Sequence, residues 1–267
     1  MISVIIPTLG TRETELNRLF QSLSEQENQN FEAIVVTQDQ HDKVHEILKP
    51  YHFPVKHVRL NRKGLSYSRN EGMKVVSGRI VTFSDDDCWY PPDAFKKAAS
   101  FFEHHKNKAG VCFQIYDPVT NEYYKNYASE AKGTLTLREL FQRSSIEFFI
   151  SLDQINKEDV LFDEDFGLGA KYVSGEENIF LSHLHKLGHS LAYENEVIVY
   201  HLKPSVDSRL NYKSFLSKGP LFKRIFNLPM GFIMLTALFV KKYKYLERPF
   251  PFYFAAIKEM VTYKKRG

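Results

Sequence analysis

The sequence predicts an α/β fold in which a mostly parallel sheet carries helices on both faces. Two observations predict it. Over the first hundred residues, short apolar runs rich in β-branched side chains alternate with segments whose apolar residues recur at helical spacing. The polar clusters fall where strands end: Pro7-Thr8, Thr37-Gln38-Asp39 and Asp85-Asp86-Asp87. In open parallel sheets, ligands bind outside the carboxyl ends of the strands.

The elements follow in order. Residues 3–7 read as the first strand, and Leu16, Leu19, Phe20 and Leu23 then share one helical face. The run FEAIVVT at 31–37 is the second strand. Val44, Ile47 and Leu48 mark a short helix, and 55–60 a third strand. A helix over 64–76, a strand over 80–84 and a helix from Asp93 to about residue 104 complete the alternation, with Asp93 placed to cap that helix. The stretch 110–161 is less regular. It holds strands near 111–115 and 147–152 and an aromatic-rich connection through Tyr123, Tyr124 and Tyr127. A helix follows Gly175-Glu176-Glu177, with Ile179, Phe180, Leu181 and Leu184 apolar, and 190–193 and 197–201 read as two closing strands.

The chain has 267 residues, 43% apolar and 25% charged, a composition of soluble globular proteins. The N-terminal apolar run is short and lacks a basic leader, so it reads as a strand and not as a signal peptide. Cys88 and Cys112 have no metal-ligand spacing and read as reduced thiols, which sets a cytoplasmic location as the expectation. Charge divides the chain in two. Residues 203–267 hold 14 Lys and Arg against three acids, whereas 1–202 hold 22 against 29. The division suggests an acidic domain over 1–202 and a basic helical tail over 203–267. Within the tail, LPMGFIMLTALFV at 228–240 is apolar on all sides but too short to span a bilayer. Lys223, Arg224, Lys241, Lys242 and Lys244 flank it, and an aromatic stretch occupies 249–254. Such a composition suits an element lying on an anionic lipid surface. Helices packed on the catalytic body, or a dimer contact, fit it too. Nucleic acid is not expected, since no recognised binding motif accompanies the charge.

The Asp85-Asp86-Asp87 triplet is the main chemical signal. Three like charges at the end of an apolar strand repel one another, but a hard divalent cation, Mn²⁺ or Mg²⁺, takes carboxylate oxygens and leaves positions open for phosphate. The competing reading is a solvated acidic turn.

The opening Ser-Val-Ile-Ile-Pro-Thr, the segment Gly64-Leu65-Ser66-Tyr67-Ser68-Arg69-Asn70-Glu71-Gly72, the aspartate triplet, and Phe166-Gly167-Leu168-Gly169-Ala170 with Gly175-Glu176-Glu177 shortly after it form an ordered set. The set resembles family 2 glycosyltransferases of the GT-A fold, of the kind that build bacterial capsule, exopolysaccharide or lipopolysaccharide. The resemblance runs from residue 2 to about 201. It implies a Rossmann-like GT-A sheet and an inverting transfer from a nucleotide-sugar to an acceptor hydroxyl. By that resemblance Asp87 is the direct metal ligand, Asp85 and Asp86 serve metal, ribose or water, and His201 is a further ligand. Glu177, or Glu176 beside it, is the general base at the end of a glycine-rich loop expected to be mobile. Thr8 would contact base or ribose and Arg69 the nucleotide. Where the family carries an acidic pair that reads uracil, this chain has Gln38-Asp39. A glutamine amide can both accept from and donate to uracil, so a UDP-sugar stays the first choice, with GDP- and dTDP-sugars open. The acceptor implied is a glycan or polyprenyl-linked saccharide at the inner face of the cell membrane. Two other readings are a sugar-nucleotide nucleotidyltransferase, for which Leu9-Gly10-Thr11-Arg12 is a poor loop, and an inactive binding subunit recruited to the membrane.

Overall fold

A computed structural model describes residues 1–203 and 211–265. The strands are β1 (Ile2–Thr8), β2 (Phe31–Thr37), β3 (Val55–Arg59), β4 (Ile80–Phe83), β5 (Gly110–Asp117), β6 (Glu122–Tyr123), β7 (Phe148–Ser151) and β8 (Leu191–Tyr200). Between and after them run α1 (Glu13–Ser24), α2 (His41–Leu48), α3 (Leu65–Lys74), α4 (Ala94–His104), α5 (Leu137–Leu140), α6 (Glu176–Lys186), α7 (Tyr212–Ile225), α8 (Leu228–Lys242) and α9 (Pro249–Thr262).

One sheet orders the strands β3-β2-β1-β4-β7-β5-β6, with β8 on the other edge of β5. The pairs β3–β2–β1–β4 are parallel, as is β5–β8, whereas β7 and β6 run against their neighbours. The sheet is therefore mixed, with most strands in one direction. Every residue of β1 and β2 is buried. That burial explains their near-continuous apolar sequences, because helices cover both faces. Alternate residues serve alternate cores. Val4, Ile6 and Val35 meet Leu16, Phe20, Val44 and Phe95 on the side of α1, α2 and α4. Ile5, Val36 and Phe83 meet Met73 of α3 and Phe180 and Leu184 of α6 on the other.

Two local expectations are corrected. The two closing strands form one, β8, because its register with β5 shifts near Gln114 and the irregularity absorbs the polar Glu194-Asn195-Glu196 step. Asp93 does precede α4, but its side chain makes no cap hydrogen bond and pairs instead with Lys97 Nζ at 2.9 Å.

The three helices of the tail share a core of Phe215, Leu235, Phe239, Phe252, Ala256 and Met260. Helices α7 and α9 approach so closely that a Cβ on Gly219 would lie 2.1 Å from the Ala256 carbonyl oxygen. The unit is also bolted to the body. Leu221, Ile225 and Tyr263 pack with Phe166, Tyr172 and Ile179, each full burial of such a side chain being worth roughly 1.5–3 kcal/mol. Arg224 Nε donates to Asp163 Oδ2 at 2.7 Å, and the Tyr172 hydroxyl donates to Glu259 at 3.0 Å. Away from the body, Phe232, Ile233, Val240, Tyr245, Phe250 and Phe254 are exposed. No helix among the described residues is long and apolar enough to cross a membrane.

Candidate active site

The aspartate triplet sits at the carboxyl end of β4, beside the end of β1, and every carboxylate has at least one cationic neighbour. Arg69 Nη2 reaches Asp85 Oδ1 at 3.2 Å. Thr8 Oγ1 donates to Asp86 Oδ2 at 2.7 Å, and Arg12 Nη1 donates to Asp86 Oδ1 at 3.2 Å and also to Asp87 Oδ2. His201 Nε2, arriving from the end of β8, lies 3.2 Å from Asp87 Oδ1. These contacts explain how three like charges coexist. Burial works against the charge of Asp87, but His201 and Arg12 outweigh it and hold the carboxyl below the usual aspartate range. Burial wins at Asp86, which is raised despite Thr8 and Arg12. At His201 burial disfavours the imidazolium, yet the Asp87 contact raises it.

Asp85, Asp87 and His201 offer ligand atoms that all lie within 4.8 Å of one another. The donor set of two carboxylates and one imidazole suits Mn²⁺ or Mg²⁺. His201 Nδ1 donates to the Leu202 carbonyl at 2.6 Å. That bond fixes the tautomer in which Nε2 can turn its lone pair to a metal, the usual second support of a ligating histidine. The residues present thus fit the group that the triplet implies.

Glu176 and Glu177 open α6, and the structure separates them. Gly175, with φ +108°, takes the left-handed turn before the helix. A Cβ there would come within 2.7 Å of Leu221, so α7 packs directly against this turn. Glu176 is 4% exposed and lies 3.6 Å from Arg69 Nη1, while Arg69 itself is 1% exposed. Burial, with Glu177 and Asp85 nearby, pushes Glu176 up to about 8 against the pull of Arg69. Glu177 is half-buried. Lys218 of α7 adds a cation here, donating to Ser174 Oγ at 3.3 Å; burial pulls it below the usual lysine range although Glu177 and Glu176 favour its charge. The glycine-rich loop is tied down: Ser66 Oγ donates to the Phe166 carbonyl, Leu65 N to Leu168 O, and Gly167 N to Tyr172 O.

Gln38 and Asp39 follow β2 as expected, but both are engaged. Gln38 Oε1 accepts from Gly64 N at 2.6 Å, leaving its amide nitrogen as a donor with no hydrogen-bond partner among the described residues, and Asp39 pairs with Lys63 at 2.6 Å. Thr8 faces Asp86, as described. Several participants were not singled out from sequence. Arg12 had one signal, its place just past the end of β1. Arg18 donates to the Asp87 carbonyl and covers the Trp89 ring at 3.7 Å. Ser145 accepts from Arg69 at 2.7 Å. Neither these two nor Lys218 lies in a motif.

A family model, glycosyl transferase family 2, matches residues 3–162. The chain belongs to that family. The match covers the triplet and Arg69 and ends before Glu176, Glu177 and His201. Related proteins include an uncharacterised glycosyltransferase of Haemophilus influenzae, 32% identical over 108 residues (40% of this chain, 36% of that protein). Another is the uncharacterised glycosyltransferase YfnE of Bacillus subtilis, 30% identical over 137 residues (50% of this chain, 34% of that protein). The alignments thus take in about a third of those proteins' lengths. Among solved structures, residues 1–349 of S. aureus TarS in complex with UDP-GlcNAc superpose with a TM-score of 0.72 at 18% identity, over 97% of this chain and 80% of that one. This likeness establishes the GT-A-type fold of the family 2 member described here, including the presence of a helical extension after the sheet.

Proposed function

We propose that this chain is an inverting, metal-dependent glycosyltransferase that moves a sugar from a nucleotide-sugar, a UDP-sugar first, to a hydroxyl of a glycan or lipid-linked acceptor. The observation that carries the reading is the convergence of Asp85, Asp87 and His201 at the carboxyl ends of β4 and β8. Asp85, Asp87 and His201 would hold Mn²⁺ or Mg²⁺, which when bound supplies positive charge to the leaving diphosphate. Arg12 and Arg69 add fixed cations beside the same carboxylates and favour a diphosphate there. The acceptor oxygen attacks the anomeric carbon from the face opposite the diphosphate while Glu177 takes the hydroxyl proton. The carbon–oxygen bond to the diphosphate breaks, and the nucleoside diphosphate leaves with that electron pair. Glu177 is assigned as base because it is the more open of the two. Glu176, its carboxyl pushed up by burial and wedged against Arg69, positions the helix start. The TarS complexes with UDP and with UDP-GlcNAc support uridine as the base; Gln38 would read it through its free amide donor. Residues 1–202 form the proposed catalytic unit and 203–267 its extension. The exposed apolar and aromatic face of α8 and α9, with Lys241, Lys244 and Arg248 beside it, is proposed to rest on an anionic membrane at the cell's inner face.

A donor screen tests the proposal. Nucleotide-sugars with UDP, GDP and dTDP are each incubated with and without Mn²⁺ or Mg²⁺, and release of nucleoside diphosphate is measured. Metal-stimulated release from a UDP-sugar is expected; equal release without metal would remove the central argument.

A further inference from the structure

Four aromatic side chains occupy one register row at the end of the sheet. Tyr123 of β6 pairs with Tyr116 of β5, Tyr116 pairs on its other side with Tyr200 of β8, and Tyr200 bridges to Trp89. Residues directly opposed across strands project from the same face. Successive ring centroids lie 5.4, 6.4 and 5.7 Å apart. The row starts at the metal-ligand cluster, since Trp89 follows Asp87 by two residues and Tyr200 immediately precedes His201. It ends at Tyr123, which is 50% exposed, with Tyr116, Tyr200 and Trp89 half-buried. Core aromatics are closed off; these are left partly open beside a reactive centre, the usual make-up of a ligand site.

We infer that this row is the acceptor subsite and that it holds a neutral saccharide chain, sugar rings lying against the aromatic faces. The inference rests on the glycosyl-transfer reading above. The C–H bonds on the face of a pyranose carry slight positive charge and complement the negative face of an aromatic ring. A row several rings long engages more than one sugar unit. Among the described residues, Lys203 at its rim pairs with Glu122 at 2.6 Å, and Arg18 lies over the Trp89 ring while donating to the Asp87 carbonyl. A polyanionic acceptor would meet the Asp117 and Glu122 carboxylates, which flank the Tyr116 and Tyr123 pair, so the chemistry favours an uncharged chain.

Trp89 is the only tryptophan of the chain, so its fluorescence reports on one end of the row. With UDP and Mn²⁺ held constant, the protein is titrated with neutral tetrasaccharides: β-1,4-linked glucose, N-acetylglucosamine and mannose, and α-1,4-linked glucose. At least one is expected to give a saturable change in emission. Tyr123→Ala and Tyr116→Ala should each weaken that binding about tenfold or more, and Tyr123→Phe should restore it. Calorimetric UDP affinity should be the same in all four proteins. Two results overturn the inference: no tetrasaccharide alters emission while UDP binds, or the alanine variants bind saccharide as tightly as the parent. Saccharide binding without any nucleotide binding would keep the row as a sugar site and remove the glycosyl-transfer reading instead.

Discussion

Arg69 stands between Glu176 Oε1, 3.6 Å from Nη1, and Asp85 Oδ1, 3.2 Å from Nη2. One buried guanidinium therefore ties the carboxylate cluster at the end of β4 to the first turn of α6. A lysine offers a single ammonium and cannot span both. Arg69→Lys is expected to lower kcat/KM at least tenfold and to cost on the order of 1–3 kcal/mol of stability, read by steady-state kinetics and denaturant unfolding.

Glu176 gives the fold a pH dependence of its own. Its folded value is raised to about 8, above an ordinary glutamate in the unfolded chain. The contribution of its protonated form is complete below the unfolded value and is lost as pH rises toward 8. Glu176→Gln should remove that component. Denaturation midpoints at pH 5 and pH 8 should differ less in the variant than in the parent, with the variant gaining relative stability at pH 8.

Removing a proposed metal ligand should act on metal affinity before it acts on fold. His201→Ala is expected to raise the Mn²⁺ concentration for half-maximal activity by about 10-fold or more, and Asp87→Ala to abolish metal-stimulated turnover. Mn²⁺ binding followed by electron paramagnetic resonance should show the same order.

The two glutamates should separate in kinetics. Glu177→Gln is expected to lower kcat by about 10²–10⁴-fold, the range of general-base catalysis, with donor affinity kept. Glu176→Gln should lower it less. The reverse order would reassign the base.

The exposed face of the tail should govern lipid binding without governing fold. Phe232→Ser, Ile233→Ser and Phe254→Ser replace side chains that are 46%, 59% and 63% exposed. Together they should reduce co-sedimentation with vesicles of phosphatidylglycerol and phosphatidylethanolamine and leave the melting temperature nearly unchanged. Unaltered co-sedimentation would set aside the membrane reading. Deleting the tail is the poorer experiment, because it would bare Phe166, Tyr172 and Ile179.

Much of the fold is legible because burial on both faces writes itself into sequence: the run 31–37 matches β2 residue for residue. Local polarity misled at 194–196, where Glu194, Asn195 and Glu196 read as a loop but ride an irregularity within β8. Helix α5 carries a capping box between Thr136 and Glu139, a local signal, yet at four residues it has no periodicity to detect. At the site, the triplet and Glu176-Glu177 stand out by charge. Their cationic partners do not, because Arg12 and Arg18 reach the triplet only through the pairing of β1 with β4. The engagement of Gln38 with Gly64 likewise depends on β2 lying against the start of α3.

The fit of Leu221 beside Gly175 bears on how the body and tail of this chain can be recombined with others. A tail grafted from another chain would bring its own side chain to the spot that Leu221 fills, directly against the turn preceding Glu176 and Glu177. Exchanging tails would thus disturb α6, the helix that carries the proposed base, unless both surfaces were transplanted as a matched pair.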